Sequence, residues 1–306
     1  MPSVGIDISD QTIRFIEIIR SEFSHHKFHV ASYGEKKIPE GVVVSGIIKK
    51  PEEIKKVLAE IQHEHHYHFV SASLPEEKGY LFTTEVPNIG KKDIAGNIEL
   101  KLEENVPIRA SEVVFDFSLA HKNENSLNLD AVVTVMPSEL VDAYTNLFES
   151  VSMLPVSYEL VTQAVAQAVL PQDENDTYLI VYVGETRTGF GIVSGGALQF
   201  TSTININGQQ PDLIKNEITK LSVYWQDRVE KDKLKKPIKG VILSGKDAAK
   251  PGFKESLSDV AGCPVDLANV WVNIFDLKEN TPKLSFEDSL DYAPAIGLSL
   301  SRYYHA

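Results

Sequence analysis

Thiol chemistry is nearly absent from this chain: Cys263 is its single cysteine, so no intramolecular disulfide can form. Set in AGCPV, between a helical and a strand pattern, it reads as a packed residue rather than a reactive one. Positive charge is also scarce. Against 43 acidic residues stand 30 basic ones, a net charge of −13, which disfavours a surface built for nucleic-acid phosphates or anionic lipid headgroups. The sequence has no run of roughly 18 apolar residues and no N-terminal apolar segment of signal-peptide type. A cytoplasmic protein is expected, with membrane association only through a partner. There is no Gly-x-Ser-x-Gly elbow and no GxxxxGK[ST] loop. HEHHYHF (63–69) comes nearest to a metal motif, but HExxH fails because Tyr67 takes the last place. His63, His65, His66 and His68 read instead as a solvated helix end that complements the helix dipole.

What is present is ordinary globular material: 306 residues, 42% apolar and 24% charged, long enough for two or more domains. Residues 3–9, 12–20 and 27–35 read as three strands of an antiparallel meander, joined by a polar turn and the SEFSHH bridge. In PEEIKKVLAEIQHEH, Ile54, Val57, Leu58 and Ile61 share one helical face behind an opening Pro and two acids. FVSASL then forms a strand. From about 76 to 154 a second region follows: KKDIAGNIELKLEENV is helical by period and stopped by Pro107, EVVFDFSLA and LDAVVTVM are strands around HKNENSLN, and SELVDAYTNLFESV is a helix with Ser138 as N-cap. This block reads as an inserted α/β subdomain. After Pro155, ELVTQAVAQAVL is helical, and TYLIVYVG, TGFGIVSG and ALQFTSTI are strands. KDKLKK (231–236) is a basic run, read as a solvated helix end or loop.

Two stretches echo each other. VGIDISDQTIRFIEI (4–18) and LIVYVGETRTGFGIV (179–193) both run apolar strand, polar turn with Ser or Thr, and returning apolar strand. A repeat at about half the chain length predicts two related halves facing each other. Asp7 falls opposite Tyr182, and Ser9 opposite Gly184. Two such turns across a cleft can clamp a polyphosphate, with a carboxylate holding a hydrated metal ion. Taken alone, Asp7 is equally a strand-end residue capping its own turn.

GVILSGKDAAKPGFKESLSDVAGCPVDLANVW (240–271) adds strand, Gly-containing turn, helix and short strand, and DYAPAIGLSLS (291–301) adds a helix of small residues. With VGIDISDQTIRFIEI, ELKLEENVPIRASEVVFDF and PVSYELVTQAVAQAV, the order of these pieces resembles the actin-like ATPases, and in detail the PilM family of type IV pilus assembly, relatives of the division protein FtsA. The resemblance implies an α/β, actin-like ATPase fold: two RNase H-like halves around a nucleotide cleft, an inserted subdomain and a reduced fourth subdomain. It places the first half at 1–75, 155–175 and 290–306, the insertion at 76–154, and the second half at 176–289 with its small subdomain at about 209–236. It further implies ATP with magnesium as ligand. Asp7 would hold the ion through water, Ser9, Asp10, Gln11 and Thr12 would cradle phosphates, and Arg14 would be the accompanying base. Gly184 to Thr188, with Glu185 and Thr186, would form the opposing turn, Glu217 would reach the ribose, and Gly245 and Lys246 would pass the adenosine. The implied partners are the N-terminal cytoplasmic tail of a PilN-like inner-membrane protein and other cytoplasmic pilus-assembly proteins. The implied location is cytoplasmic, at the inner membrane through that partner.

The sequence departs from the pattern in three places. The second turn carries Tyr182 where the family has an Asp, and a phenol does not replace a carboxylate in binding metal or orienting water. Ser9 and SGKDA put side chains where glycines would let the backbone approach a nucleotide. Between TININGQQPD and IKNEITKLSVYW a helical stretch is missing, which shrinks one cleft wall. A scaffold without ATP hydrolysis is expected, with an ATP-hydrolysing switch as the alternative. An FtsA-like division protein is the third reading, disfavoured because SLSRYYHA is too short for an amphipathic anchor.

Overall fold

The structure is a computed structural model and describes residues 3–20, 28–120, 127–232, 235–258, 260, 262–275 and 283–304. The SEFSHH bridge, most of the HKNENSLN loop and the centre of KDKLKK lie outside the described residues.

The meander forms as β1 (Val4–Ile8), β2 (Thr12–Arg20) and β3 (Phe28–Lys37). A small hairpin, β4 (Val43–Val44) and β5 (Ile47–Ile48), leads into α1 (Pro51–His65) and β6 (Phe69–Leu74). Helix α1 buries Ile54, Leu58 and Ile61, starts with Pro51, and ends where His66 turns left-handed at φ 58°. The histidines gather at that end, His65 stacks on Tyr67, and no metal-binding group of three or more His, Cys, Asp or Glu occurs among the described residues.

The insertion comprises β7 (Tyr80–Pro87), α2 (Lys91–Glu99), α3 (Leu102–Asn105), β8 (Val113–Ala120) and β9 (Asn128–Pro137), its sheet ordered β7-β9-β8. The helical pattern over KKDIAGNIELKLEENV is divided in two at Leu100–Lys101, where Lys101 Nζ donates to the Glu85 carbonyl. Helix α4 (Ser138–Glu149) then follows β9 without a connecting residue. Ser138 is its first helical residue, Pro137 holds the cap position, and no side chain caps the helix, because the strand continues to Pro137. The buried face of α4, Tyr144, Leu147 and Phe148, packs in the core of the first half, so the insertion's own core ends with β9.

Residues 154–160 correct the helical reading of ELVTQAVAQAVL: Glu159 and Leu160 end strand β10 (Leu154–Leu160), which pairs in parallel with β6, and helix α5 begins afterwards (Val161–Val169). Strands β11 (Thr177–Val183), β12 (Thr188–Ser194) and β13 (Ala197–Ile204) follow. The stretch expected to form a reduced subdomain holds one long helix, α6 (Pro211–Lys231). Then come β14 (Ile238–Ser244), α7 (Phe253–Leu257), β15 (Val265–Leu267), α8 (Phe286–Asp291) and α9 (Ala293–Tyr304).

The two large sheets have the same order and strand directions. Reading from the third meander strand, β3-β2-β1-β6-β10 matches β13-β12-β11-β14-β15, with both meander pairs antiparallel and the rest parallel. Helix α9 lies on the first sheet and α5 packs on α9 and on the second sheet, joining the halves. Small residues bring these helices together: a Cβ on Gly297 would run into the Ala164 carbonyl.

Candidate functional site

Both hairpin turns point into one cleft. On the first half, β1 and β2 place Asp7 opposite Arg14 across the ladder. The intervening turn closes on itself, with Ser9 Oγ donating to the Thr12 carbonyl at 2.9 Å and accepting the Thr12 N–H at 3.0 Å. On the second half, β11 and β12 enclose the Gly184–Arg187 turn, in which the Gly184 N–H donates to the Arg187 carbonyl at 2.9 Å.

Asp7 is 3% exposed and accepts a hydrogen bond from Ser73 Oγ at 2.7 Å. Burial pushes its pKa up, against the lowering effect of that bond and of the Arg14 charge. Arg14 is equally enclosed, and three acids surround it: Glu185 Oε1 at 2.9 Å, Asp291 Oδ2 at 3.1 Å and Glu35 Oε2 at 3.3 Å. The Glu35 contact is one of charge, since the Arg14 Nε it faces makes no aligned hydrogen bond. Burial works against the guanidinium charge, but the carboxylates of Asp291, Glu185 and Asp7 outweigh it and raise the Arg14 pKa. Burial likewise opposes ionisation of Glu185, and the Thr12 hydroxyl with Arg14 and Lys37 overcomes it and lowers the pKa.

Tyr182 fills the centre of the site. Its ring belongs to the core of the opposite half and its hydroxyl reaches the Asp291 carbonyl at 3.4 Å. Desolvation, followed by the Asp291 charge, pushes its pKa well above the ordinary value, so it stays a neutral phenol. Around it the halves are tied by charge. Glu185 holds Arg14, Lys37 and the Thr12 hydroxyl, while Arg187 holds Asp10 at 2.5 Å and also pairs with Glu77. Asp10 in turn accepts the Ser45 and Gly46 N–H groups. Beside the second turn, Glu76 accepts from the Thr162 N–H at the start of α5 and from Thr203 Oγ1. The space left in the cleft is about 60 Å³, room for a few waters.

Of the residues singled out by sequence, Asp7, Ser9, Arg14, Gly184, Glu185 and Thr186 line this space, and Asp10 and Thr12 reach it through their partners. Gln11 is exposed at the tip of the turn. Glu217 lies on α6 and pairs with Lys220 at 3.0 Å, away from the cleft lining. Gly245, at φ 92°, lets β14 pass close to the Val183 carbonyl, which a Cβ would strike. Its N–H donates to the Leu290 carbonyl, and Lys246 is held by Asp291 and Asp288, so α8 covers this turn. Sequence reasoning missed Lys37, Ser73 and Glu76, and also Asp291, which sits just before the closing helix and bridges Arg14 to the Lys246 N–H.

Comparison with known proteins agrees with this architecture. The family model of the type IV pilus assembly protein PilM matches residues 5–238. No curated protein matches the chain in sequence. Among solved structures, the chain is similar to one from a PilM-PilN type IV pilus biogenesis complex, with a TM-score of 0.77 at 16% identity over 98% of each chain. It is also similar to the ethanolamine utilization protein EutJ from Carboxydothermus hydrogenoformans, with a TM-score of 0.54 at 12% identity over 98% of this chain and 89% of that one. The fold is the actin-like one, two RNase H-like halves with an insertion in the first. The match over most of its length makes this chain a member of the PilM family of type IV pilus assembly proteins.

Proposed function

We propose that this protein is a cytoplasmic scaffold of a type IV pilus or related machine, docking the N-terminal cytoplasmic tail of a PilN-like inner-membrane protein. The observation that carries this reading is the family match over 5–238, together with the likeness along 98% of the chain to the protein of a PilM-PilN complex. Free sheet edges fit the role. Strand β10 ends the first sheet with Leu154 and Val156 exposed, β8 ends the inserted sheet with Val114 exposed, and α4 touches both strands. An extended peptide can pair with such an edge while its apolar side chains cover these residues. Membrane association then comes through the partner. No described helix is long and apolar enough to cross a membrane.

The cleft supports nucleotide binding without hydrolysis. Asp7, on the first turn, is the carboxylate that would hold a hydrated magnesium ion, which keeps several of its waters, and Thr12, Arg14, Lys37 and Arg187 would be donors to phosphates. The bound group would supply a charge that braces the two halves. Hydrolysis is disfavoured because Tyr182 replaces the second-turn carboxylate and Glu185, the nearest substitute, is tied to Thr12, Arg14 and Lys37. Titrating a synthetic PilN-like tail against the pure protein tests the scaffold: saturable binding is expected, and none at high micromolar peptide sinks it. Phosphate release from magnesium-ATP is expected to equal that of Asp7→Ala, and a clear excess in the wild type would favour the switch instead.

A further inference from the structure

The first-turn groups suited to a phosphate already hold an anion, and it belongs to the chain itself. Thr12 Oγ1 donates to Glu185 Oε2 at 2.9 Å, and Arg14 Nη2 and Lys37 Nζ reach Glu185 Oε1 at 2.9 and 3.2 Å. One hydroxyl and two cations converging on a carboxylate form the kind of donor set that holds any oxyanion. All three donors stand on the first half, on β2 and at the end of β3, whereas Glu185 is carried by the turn of the second half. The contact is therefore a crossing of the cleft. A link of opposite polarity lies beside it, with Arg187 of the second turn on Asp10 of the first.

We propose that Glu185 is a built-in occupant of the anion site made by Thr12, Arg14 and Lys37: it keeps the two halves closed without ligand, and a phosphate group enters only by displacing it. The identity of the displacing anion rests on the nucleotide reading above; the closure does not. A phosphate on these donors would add a further anion beside the carboxylates of Glu185, Asp291 and Glu35 already around Arg14, and like charges at hydrogen-bond spacing disfavour each other's ionised forms, so Glu185 must leave for the phosphate to enter. Opening is then coupled to an exchange of one anion for another, and a ligand shifts the closed state only by its differential affinity.

Hydrogen exchange over 9–14 and 183–188 reads the closure in wild type, Glu185→Ala, Glu185→Gln and Glu35→Gln. Glu35 contacts the same guanidinium from the same half, so neutralising it removes a countercharge from Arg14 without touching the crossing. Exchange at both turns is expected to rise about tenfold in Glu185→Ala, less in Glu185→Gln, which still accepts from Thr12, and not at all in Glu35→Gln. Calorimetry with inorganic tripolyphosphate on the same proteins is expected to show binding about tenfold tighter in Glu185→Ala than in wild type. Unchanged exchange in both Glu185 variants overturns the proposal, as does an equal rise in Glu35→Gln. Equal tripolyphosphate affinity in wild type and Glu185→Ala overturns the displacement. Faster exchange with no tripolyphosphate binding in any of the proteins upholds the closure and removes the nucleotide reading.

Discussion

Replacing Glu159 by Gln is expected to stabilise the protein, by an amount that grows from about pH 4.5 and is complete above about pH 7. Glu159 lies on β10, and both of its carboxylate oxygens are buried without an aligned hydrogen-bond partner. Ser301 and Gln167 are close enough to soften the penalty, yet burial still lifts its pKa from the ordinary 4.5 to about 7. A rise of this size corresponds to about 3 kcal/mol against the ionised form, at about 1.4 kcal/mol per pH unit. The folded chain binds this proton more tightly than the unfolded chain. The penalty is therefore absent below pH 4.5, grows as pH rises, and is complete above about 7. Glutamine keeps the shape and never ionises. Urea unfolding of both proteins at pH 4 and pH 8 should show near-equal stability at the lower pH and a gain of about 2–3 kcal/mol for the variant at the higher. A gain that is the same at both pH values, or no gain at pH 8, would refute the titration account. Asp7 and Glu76 also have raised pKa values caused first by burial, so the variant keeps a downward slope of stability with pH, and the difference between the two curves isolates Glu159.

Gly297→Ala should destabilise by about 1–3 kcal/mol in thermal or urea unfolding, because the new methyl meets the Ala164 backbone where α5 and α9 cross. Tyr182→Asp places another carboxylate beside Asp7, Asp291 and Glu185 and removes a ring from the first-half core; a loss of about 3 kcal/mol or more is expected at pH 8, smaller at pH 5, with no gain in phosphate release from ATP. Val156→Asp changes a half-exposed side chain on the β10 edge, so the circular dichroism melt should stay within about 1 kcal/mol of wild type. Its affinity for a PilN-like tail should fall at least about tenfold if the peptide covers this edge.

Local periodicity made much of the fold legible. FVSASL and PEEIKKVLAEIQHEH match β6 and α1 residue for residue, because an apolar strand and a 3.6-residue stripe leave little ambiguity. Glu159 and Leu160 were misread because they precede a strong helical pattern, while the pairing that makes them strand, Glu159 with Ser73 and Leu160 with Leu74, is far away in sequence. The site divides in the same way. The two turns were visible as an echo of strand, polar turn and strand. Their closure was not, since Arg14 and Asp291 lie at opposite ends of the chain and a charged residue on a turn carries no mark of its partner. Lys246 shows the limit of local reading: the resemblance implies a place beside adenosine, while its contacts to Asp288 and Asp291 lie on a helix whose position no local pattern announces.

The junctions that flank α4 and β10 have a mechanical consequence. Strand β9 passes into α4 with no residue between them, and β10 passes into α5 in the same way. A joint without slack transmits both tension and torque. A pull on the exposed edge of β10 is delivered directly to the helix that packs against α9 and the second sheet, and the inserted sheet, braced on α4, turns with it. The first-half edge is thus joined without slack to the helix that links the two halves, the same halves that the charge ties of the cleft hold together.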